Sequence, residues 1–131
     1  MKAYTDISQS RKLAEILPLE SADMYYHYNT SVVKNYHEDI PNIIQLNNHF
    51  TFFNDDIPCW SLAALLEVLD DIIVDDEGNE YSLTISKEEV MYYIYYRDRW
   101  REVDDIETDC YYDLVDACYE LILKLHELKM L

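Results

Sequence analysis

Hydrophobic and polar positions alternate with two different periods along this chain, and the changes of period divide it. Leu13, Ile16 and Leu17 share one helical face behind Thr5 or Ser8, either able to cap, and Pro18 closes the stretch. This predicts a helix over about 5–17. "ESADM" (20–24) reads as a short turn. In "DDIPCWSLAALLEVLDD", Leu62, Leu65, Leu66 and Leu69 recur at i, i+3, i+4, i+7, with Pro58 near the start. The spacing predicts an amphipathic helix over 58–69. A longer stripe of Leu114, Ala117, Cys118, Leu121, Leu125 and Leu128 predicts a third helix over 110–129. Asp109 is its candidate cap, and Lys124 and Lys129 near its end suit the helix dipole.

Between the second and third helices the period drops to two. "IIVD" and "EYSLTIS" flank Asp76-Glu77-Gly78-Asn79, which places the chain's one glycine where a hairpin turn needs positive φ. "VMYYIYYR" (90–97) is β-branched and aromatic, as a half-buried strand should be. "WREV" after Asp98-Arg99 is a candidate fourth strand. The expectation is an α+β fold: a small antiparallel hairpin or meander at about 72–103, packed with the three amphipathic helices. The pattern weakens over 25–57, where a long irregular segment is expected, with short strands near Val32–Val33 and His49–Phe53. At 131 residues, 1–131 reads as a single domain able to bury a core of its own.

Charge changes the picture most. The net charge is −17, and residues 55–120 hold twenty acids against four bases. Such a field repels nucleic acid and anionic membrane and favours a basic partner. Seventeen charges match about 29 Å of duplex DNA, against a domain about 35 Å across, so mimicry of a nucleic acid is of the right density. Three cysteines without a C-x-x-C pair argue against a disulfide framework, and the N-terminus lacks a signal peptide's apolar region. No apolar run is long enough to span a bilayer. A cytoplasmic protein is expected; the composition leaves its oligomeric state open.

Candidate chemistry is sparse. "DDIIVDDEGNE" (70–80) gathers six acids. Aligned as an EF-hand on Gly78, it puts Asp75 and Glu77 at ligand positions but Ile73 and Thr84 where the first and twelfth ligands belong, so it reads as a hairpin tip. His27, His37 and His49 match no zinc spacing, and no H-E-x-x-H occurs. Cys59, at the expected start of the second helix, is a candidate for a lowered thiol pKa, but no base or oxyanion site accompanies it. One glycine cannot build a phosphate-binding loop. No catalytic residue, cofactor or metal site is expected. Thirteen tyrosines are the other distinctive feature. Strand alternation sets Tyr93, Tyr95 and Arg97 on the face opposite Val90, Tyr92, Ile94 and Tyr96, beside Arg99 and Trp100. Such residues suit binding hot spots, unless a helix covers them.

Three segments, "QSRKLAEILPLESADMYY" (9–26), "IPCWSLAALLEVL" (57–69) and "DLVDACYELILKLHELKML" (113–131), resemble a group of small uncharacterised proteins of phages, prophages and mobile elements of gut bacteria. They cover about 50 of the 131 residues. The resemblance implies an accessory role in a bacterial or phage-infected cell and carries no activity or catalytic residue with it. The functional expectation is a non-enzymatic acidic protein that binds a protein partner, basic or itself nucleic-acid-binding, with nucleic-acid mimicry as one form of this. The candidate interaction residues are Asp70, Asp71, Asp75, Asp76, Glu77, Glu80, Tyr93, Tyr95, Arg97 and Trp100. The alternative is a small-ligand or metal-binding module with a Tyr/His-lined pocket.

Overall fold

Acids at the starts of the first and last helices meet the chain's first residues. Lys2 Nζ contacts Asp116 at 2.8 Å and Asp6 at 3.2 Å, and the Lys2 N–H donates to Asp113 at 2.6 Å. This ties the N-terminus to the start of the last helix. A computed structural model describes residues 1–27, 40–44, 52 and 55–131. They form helices α1 (Ile7–Ala14), α2 (Leu62–Val68) and α3 (Leu114–Glu127). The strands are β1 (Met24–His27), β2 (Asn42–Ile43), β3 (Asp56–Cys59), β4 (Ile72–Val74), β5 (Glu80–Glu88) and β6 (Met91–Asp98). The fold is α+β, with two antiparallel three-stranded sheets ordered β2-β1-β3 and β4-β5-β6.

Each helix is shorter than its periodicity predicts, because residues at its start are held elsewhere. α1 is capped by Asp6 rather than Thr5 or Ser8. The Asp6 carboxylate accepts the Gln9 N–H at 2.8 Å and the Gln9 side chain accepts the Asp6 N–H at 3.1 Å, a reciprocal capping box. Thr5 is fully buried and its hydroxyl is engaged by Ser10 and the Trp60 N–H. α2 starts at Leu62, not at residue 58. Ser61 caps it, accepting the Ala64 N–H at 3.1 Å, and Asp23 grips both the N–H and the hydroxyl of Ser61. Ile57, Pro58 and Cys59 therefore run extended as an edge strand against β1, where proline is tolerated. α3 is capped by Asp113, not Asp109, because Tyr111 is bonded to Tyr92 at 2.7 and 3.0 Å and stays extended.

The second sheet was not expected. β1, β2 and β3 lie inside or beside the 25–57 segment read as irregular, and strands expected near Val32–Val33 and His49–Phe53 fall, but for Phe52, outside the described residues. Cys59 and Ile57 pack with Tyr26 in a small cluster of their own. The main core joins Leu13, Trp60 and Leu65 to Ile94 and Tyr96 of the other sheet, under Val115, Cys118, Leu121, Ile122 and Leu125 of α3. Trp60 is completely buried, and its indole N–H donates to Ser21 at 2.9 Å. Among the described residues, no helix is long and apolar enough to cross a membrane.

The β4-β5-β6 sheet matches the expected meander except at its end. "WREV" is not a strand: residues 99–103 curl back over Asp98. The fourth edge is made instead by Ile106 and Tyr111, which bridge to Tyr96 and Tyr92. Gly78 closes the β4–β5 turn at φ +85°, and a Cβ there would meet nothing within 4 Å. In the two-residue β5–β6 loop, by contrast, Glu89 is forced to φ 55°. The two sites predict opposite effects. Gly78→Val should cost about 1 kcal/mol or more, purely through backbone conformation. Glu89→Asn should stabilise by about 0.5 kcal/mol, since asparagine tolerates the left-handed region better. Thermal melts of both variants check this, and a Gly78→Val protein that melts like the parent would contradict the turn.

Candidate interaction surface

The β4–β5 turn is built around one carboxylate. Asp75 Oδ1 accepts the N–H groups of Glu77 and Asn79, each at 2.9 Å, while Oδ2 accepts the Asn79 side-chain amide at 2.9 Å and the Tyr81 hydroxyl at 3.0 Å. The hydrogen bond from the Asn79 side chain, aided by the others, holds the Asp75 carboxyl below its ordinary range, while partial desolvation acts the other way. Tyr81, desolvated and donating to Asp75, is pushed up to about 12. Both oxygens of Asp75 are thus spent on the turn. The remaining acids of the tip, Asp76 and Glu77, are exposed.

The chain returns to the same end of the sheet after β6. Asp98, opposite Tyr81, is 1% exposed, and its carboxylate accepts the N–H groups of Glu102 and Val103. Its own N–H donates to the Asp105 carboxylate at 2.9 Å. Arg99 pairs with Glu80 at 2.9 Å and lies against the exposed Trp100 ring, 5.8 Å from its centre. The turn at 75–79 and the loop at 99–105 are therefore neighbours, and they bring Asp76, Glu77 and Glu80 together with Asp104 and Asp105. They do not bring the whole acidic set together. Asp70 and Asp71 lead into β4 at one edge of the sheet. Glu107 and Asp109 follow the opposite edge, three strand spacings or roughly 14 Å away. Arg97, Arg99 and Arg101 stand among the acids at the shared end.

The strand register sorts the side chains by face. Directly opposite residues share a face, so Tyr81, Leu83, Ile85, Ile94, Tyr96 and Asp98 line one side, and Ser82, Thr84, Ser86, Tyr93, Tyr95 and Arg97 the other. All the buried positions of β5 and β6 (Tyr81, Ile94, Tyr96 and Asp98) lie on the first face, toward α3. The second face, with Ile72 and Val74 of β4, carries none. Tyr93, Tyr95 and Arg97 thus occupy the outer face that alternation assigns to them, beside a central Ser/Thr stripe. Tyrosine with serine and threonine is the chemistry of adaptable protein-binding surfaces. The completely buried Tyr96 donates its hydroxyl to the Asp70 carbonyl at 2.6 Å and so fixes the start of β4 from the inside.

Sequence reasoning missed a gap at the β6 edge. The Arg99 N–H bonds the Glu80 carbonyl, so by ladder alternation the N–H and C=O of Tyr92, Ile94, Tyr96 and Asp98 point away from β5. Tyr96 finds Ile106, Tyr92 finds Tyr111, and the Asp98 N–H finds Asp105. Between these bridges 107–110 places four residues opposite the three at 93–95, a bulge. Among the described residues the N–H and C=O of Ile94 have no partner. A hollow of about 270 Å³ opens there, lined by Tyr93, Tyr95, Glu88, Asp105, Glu107 and Thr108. The one-residue excess at 107–110 has no local signature in the sequence, so the gap was not legible.

Cys59 does not have the lowered pKa that a position at a helix N-terminus would favour. It ends β3, is fully buried, and burial raises its thiol pKa against hydrogen bonds from Thr5, Ser10 and Tyr26 that lower it. Cys118 is pushed up to about 12 by burial alone. His27 pairs with Asp56 across β1 and β3 at 2.8 Å, His126 is exposed near the end of α3, and His37 and His49 lie outside the described residues.

Asp75 also gives a signed pH prediction. Its folded pKa lies below the unfolded value of 3.8, so its stabilisation is present above that value and is lost as pH falls through the folded pKa. Asp75→Asn should melt below the parent at neutral pH, and the two curves should converge as pH falls below 3.8 and through the folded pKa. A constant difference across that range would mean the charge on Asp75 does not hold the turn.

No family model, curated protein or solved structure matches the chain.

Proposed function

We propose that this is a non-enzymatic accessory protein of phage or mobile-element type that binds a basic protein partner. Its binding surface is the acid-rich end and the β4 edge of the β4-β5-β6 sheet with the adjoining tyrosine face. One observation carries the reading: the turn at 75–79 and the loop at 99–105 converge on one end of the sheet. There Asp76, Glu77, Asp104 and Asp105 border the outer face of Tyr93, Tyr95 and Arg97. Like charges set side by side repel one another, which costs stability unless a cationic partner relieves it. Tyrosine and arginine beside them supply contact area that charge alone does not. The three arginines at this end interrupt the acids, which favours an ordinary protein interface over a continuous imitation of a phosphate backbone.

A second reading draws on the hollow at Ile94. A buried N–H and C=O without a partner among the described residues, beside tyrosine rings and carboxylates, suits a small polar or cationic ligand. In that case a particular amine or metabolite should raise the melting temperature by mass action.

The acid-end reading is tested by two charge-matched variants. One replaces Asp70, Asp71, Asp76 and Glu77 by Asn or Gln, and the other replaces the exposed Glu15, Glu20, Glu67 and Glu127 by Gln. Affinity for a twenty-residue lysine oligomer, measured at 20 and 200 mM salt, should fall about tenfold at low salt for the first variant, at a few tenths of a kcal/mol per exposed charge. It should fall less for the second. The first variant should also melt higher at low salt. Equal losses in the two would show a uniform charge shell and sink the reading.

A further inference from the structure

The free edge of the sheet lies within the same acidic stretch. β4 pairs with β5 in a single unbroken register, Ile72 with Ser82 through Val74 with Glu80. Backbone bonds join Asp71 to Leu83 at 2.9 Å and Asp75 to Asn79 at 3.1 Å, just beyond the two ends of that ladder. Alternation then turns Ile73 toward β5 and directs the N–H and C=O of Ile72 and Val74 outward, away from the sheet. Among the described residues nothing pairs with those four groups. The side chains are open too: Ile72 is 46% and Val74 57% exposed. The edge is not a frayed end. Asp75 holds its C-terminal side in the turn, and the buried Tyr96 hydroxyl holds the Asp70 carbonyl at its N-terminal side.

An exposed edge of this kind is a template for another strand, and charge decides which strand. Residues 70–80 contain six acids and no base. With Asp75 spent on the turn and Glu80 on Arg99, the free carboxylates are Asp70 and Asp71 before β4 and Asp76 and Glu77 after it. A second copy of this chain, pairing antiparallel through the same edge, would set its Asp70 and Asp71 against Asp76 and Glu77. Like charges facing each other across strands destabilise the pair. The flanking acids therefore exclude self-pairing and complement a cationic segment.

We propose that β4 accepts an extended segment of a basic protein as an added strand. The four outward backbone groups of Ile72 and Val74 bond the incoming main chain. Its apolar side chains lie along Ile72 and Val74 on the outer face, and lysines or arginines at its two ends meet Asp70–Asp71 and Asp76–Glu77. The proposal rests on the acid-end reading above and adds to it a docking mode and a recognition pattern: basic ends around a short, β-prone centre.

The test uses the full chain, labelled with ¹⁵N, and the end-capped heptapeptide Lys-Lys-Val-Thr-Val-Lys-Lys. A second peptide carries N-methyl groups on its three central residues, keeping the charge while removing the main-chain donors. At saturation the first peptide should slow amide exchange at Ile72 and Val74 by roughly tenfold or more and leave Ile43, on the other sheet, unchanged. The N-methylated peptide should bind at least tenfold more weakly. Val74→Pro removes an outward N–H without breaking the β5 ladder and should weaken the first peptide similarly. If the first peptide binds but Ile72 and Val74 exchange as before, or the N-methylated peptide binds equally well, strand addition is overturned while the acid-end reading stands. If neither peptide binds at 20 mM salt, both are overturned.

Discussion

Packing of α3 against the inner face of β6 is the constraint on which the rest of this molecule depends. Val115, Cys118, Leu121, Ile122 and Leu125 are all fully buried, and they cover Ile94 and Tyr96. A strand has two faces and a period of two. Once one face is committed to α3, Tyr93, Tyr95 and Arg97 must stand on the other. The same packing places the Tyr96 hydroxyl under the Asp70 carbonyl, which positions β4. Tertiary burial thus decides which tyrosines are structural and which are offered outward, a distinction that tyrosine's own chemistry leaves open.

The acids likewise divide into two populations with different work. Asp6, Asp23, Asp75, Asp98 and Asp113 accept backbone N–H groups at caps, turns and loop closures. Charge-assisted bonds of this kind are stronger than neutral ones and explain why so acidic a chain can still fold. Asp70, Asp71, Asp76, Glu77 and Asp104 do no such work. These five lie at one end and along one edge of a single sheet, and on the proposed reading their mutual repulsion is what a basic partner would relieve. A charge of −17 taken as a whole would suggest only solubility. Its partition into bound and unbound carboxylates is what points to a surface.

Much of the β4–β6 meander was legible because the deciding signals are local. Gly78 marks the turn, and the alternation of "VMYYIYYR" separates the faces without help from the rest of the chain. The β1–β3 pairing was not, because it joins Met24–His27 to residues some thirty positions away. Pro58 added to the difficulty, since it suits a helix start and an edge strand equally. Helix boundaries failed for a related reason. Ser61 caps α2 with support from Asp23, and Tyr111 is held out of α3 by Tyr92, both long-range contacts with no trace in local propensity. At the surface, residue types singled out Tyr93, Tyr95 and the acids of 70–80. The meeting of the 75–79 and 99–105 loops depends on strand register, and the unpaired Ile94 depends on a one-residue excess in 107–110. Neither is written in composition.

The central claim, that the unbound acids at the sheet end and along its β4 edge form the partner surface, is most directly tested by zero-length carboxyl–amine cross-linking. The protein would be joined to a lysine oligomer with carbodiimide at moderate salt, and the linked carboxylates located by mass spectrometry. The account predicts links concentrated on Asp70, Asp71, Asp76, Glu77 and Asp104. Glu15, Glu20, Glu67 and Glu127, although exposed, should react little. Links spread across all exposed carboxylates in proportion to their exposure would contradict it.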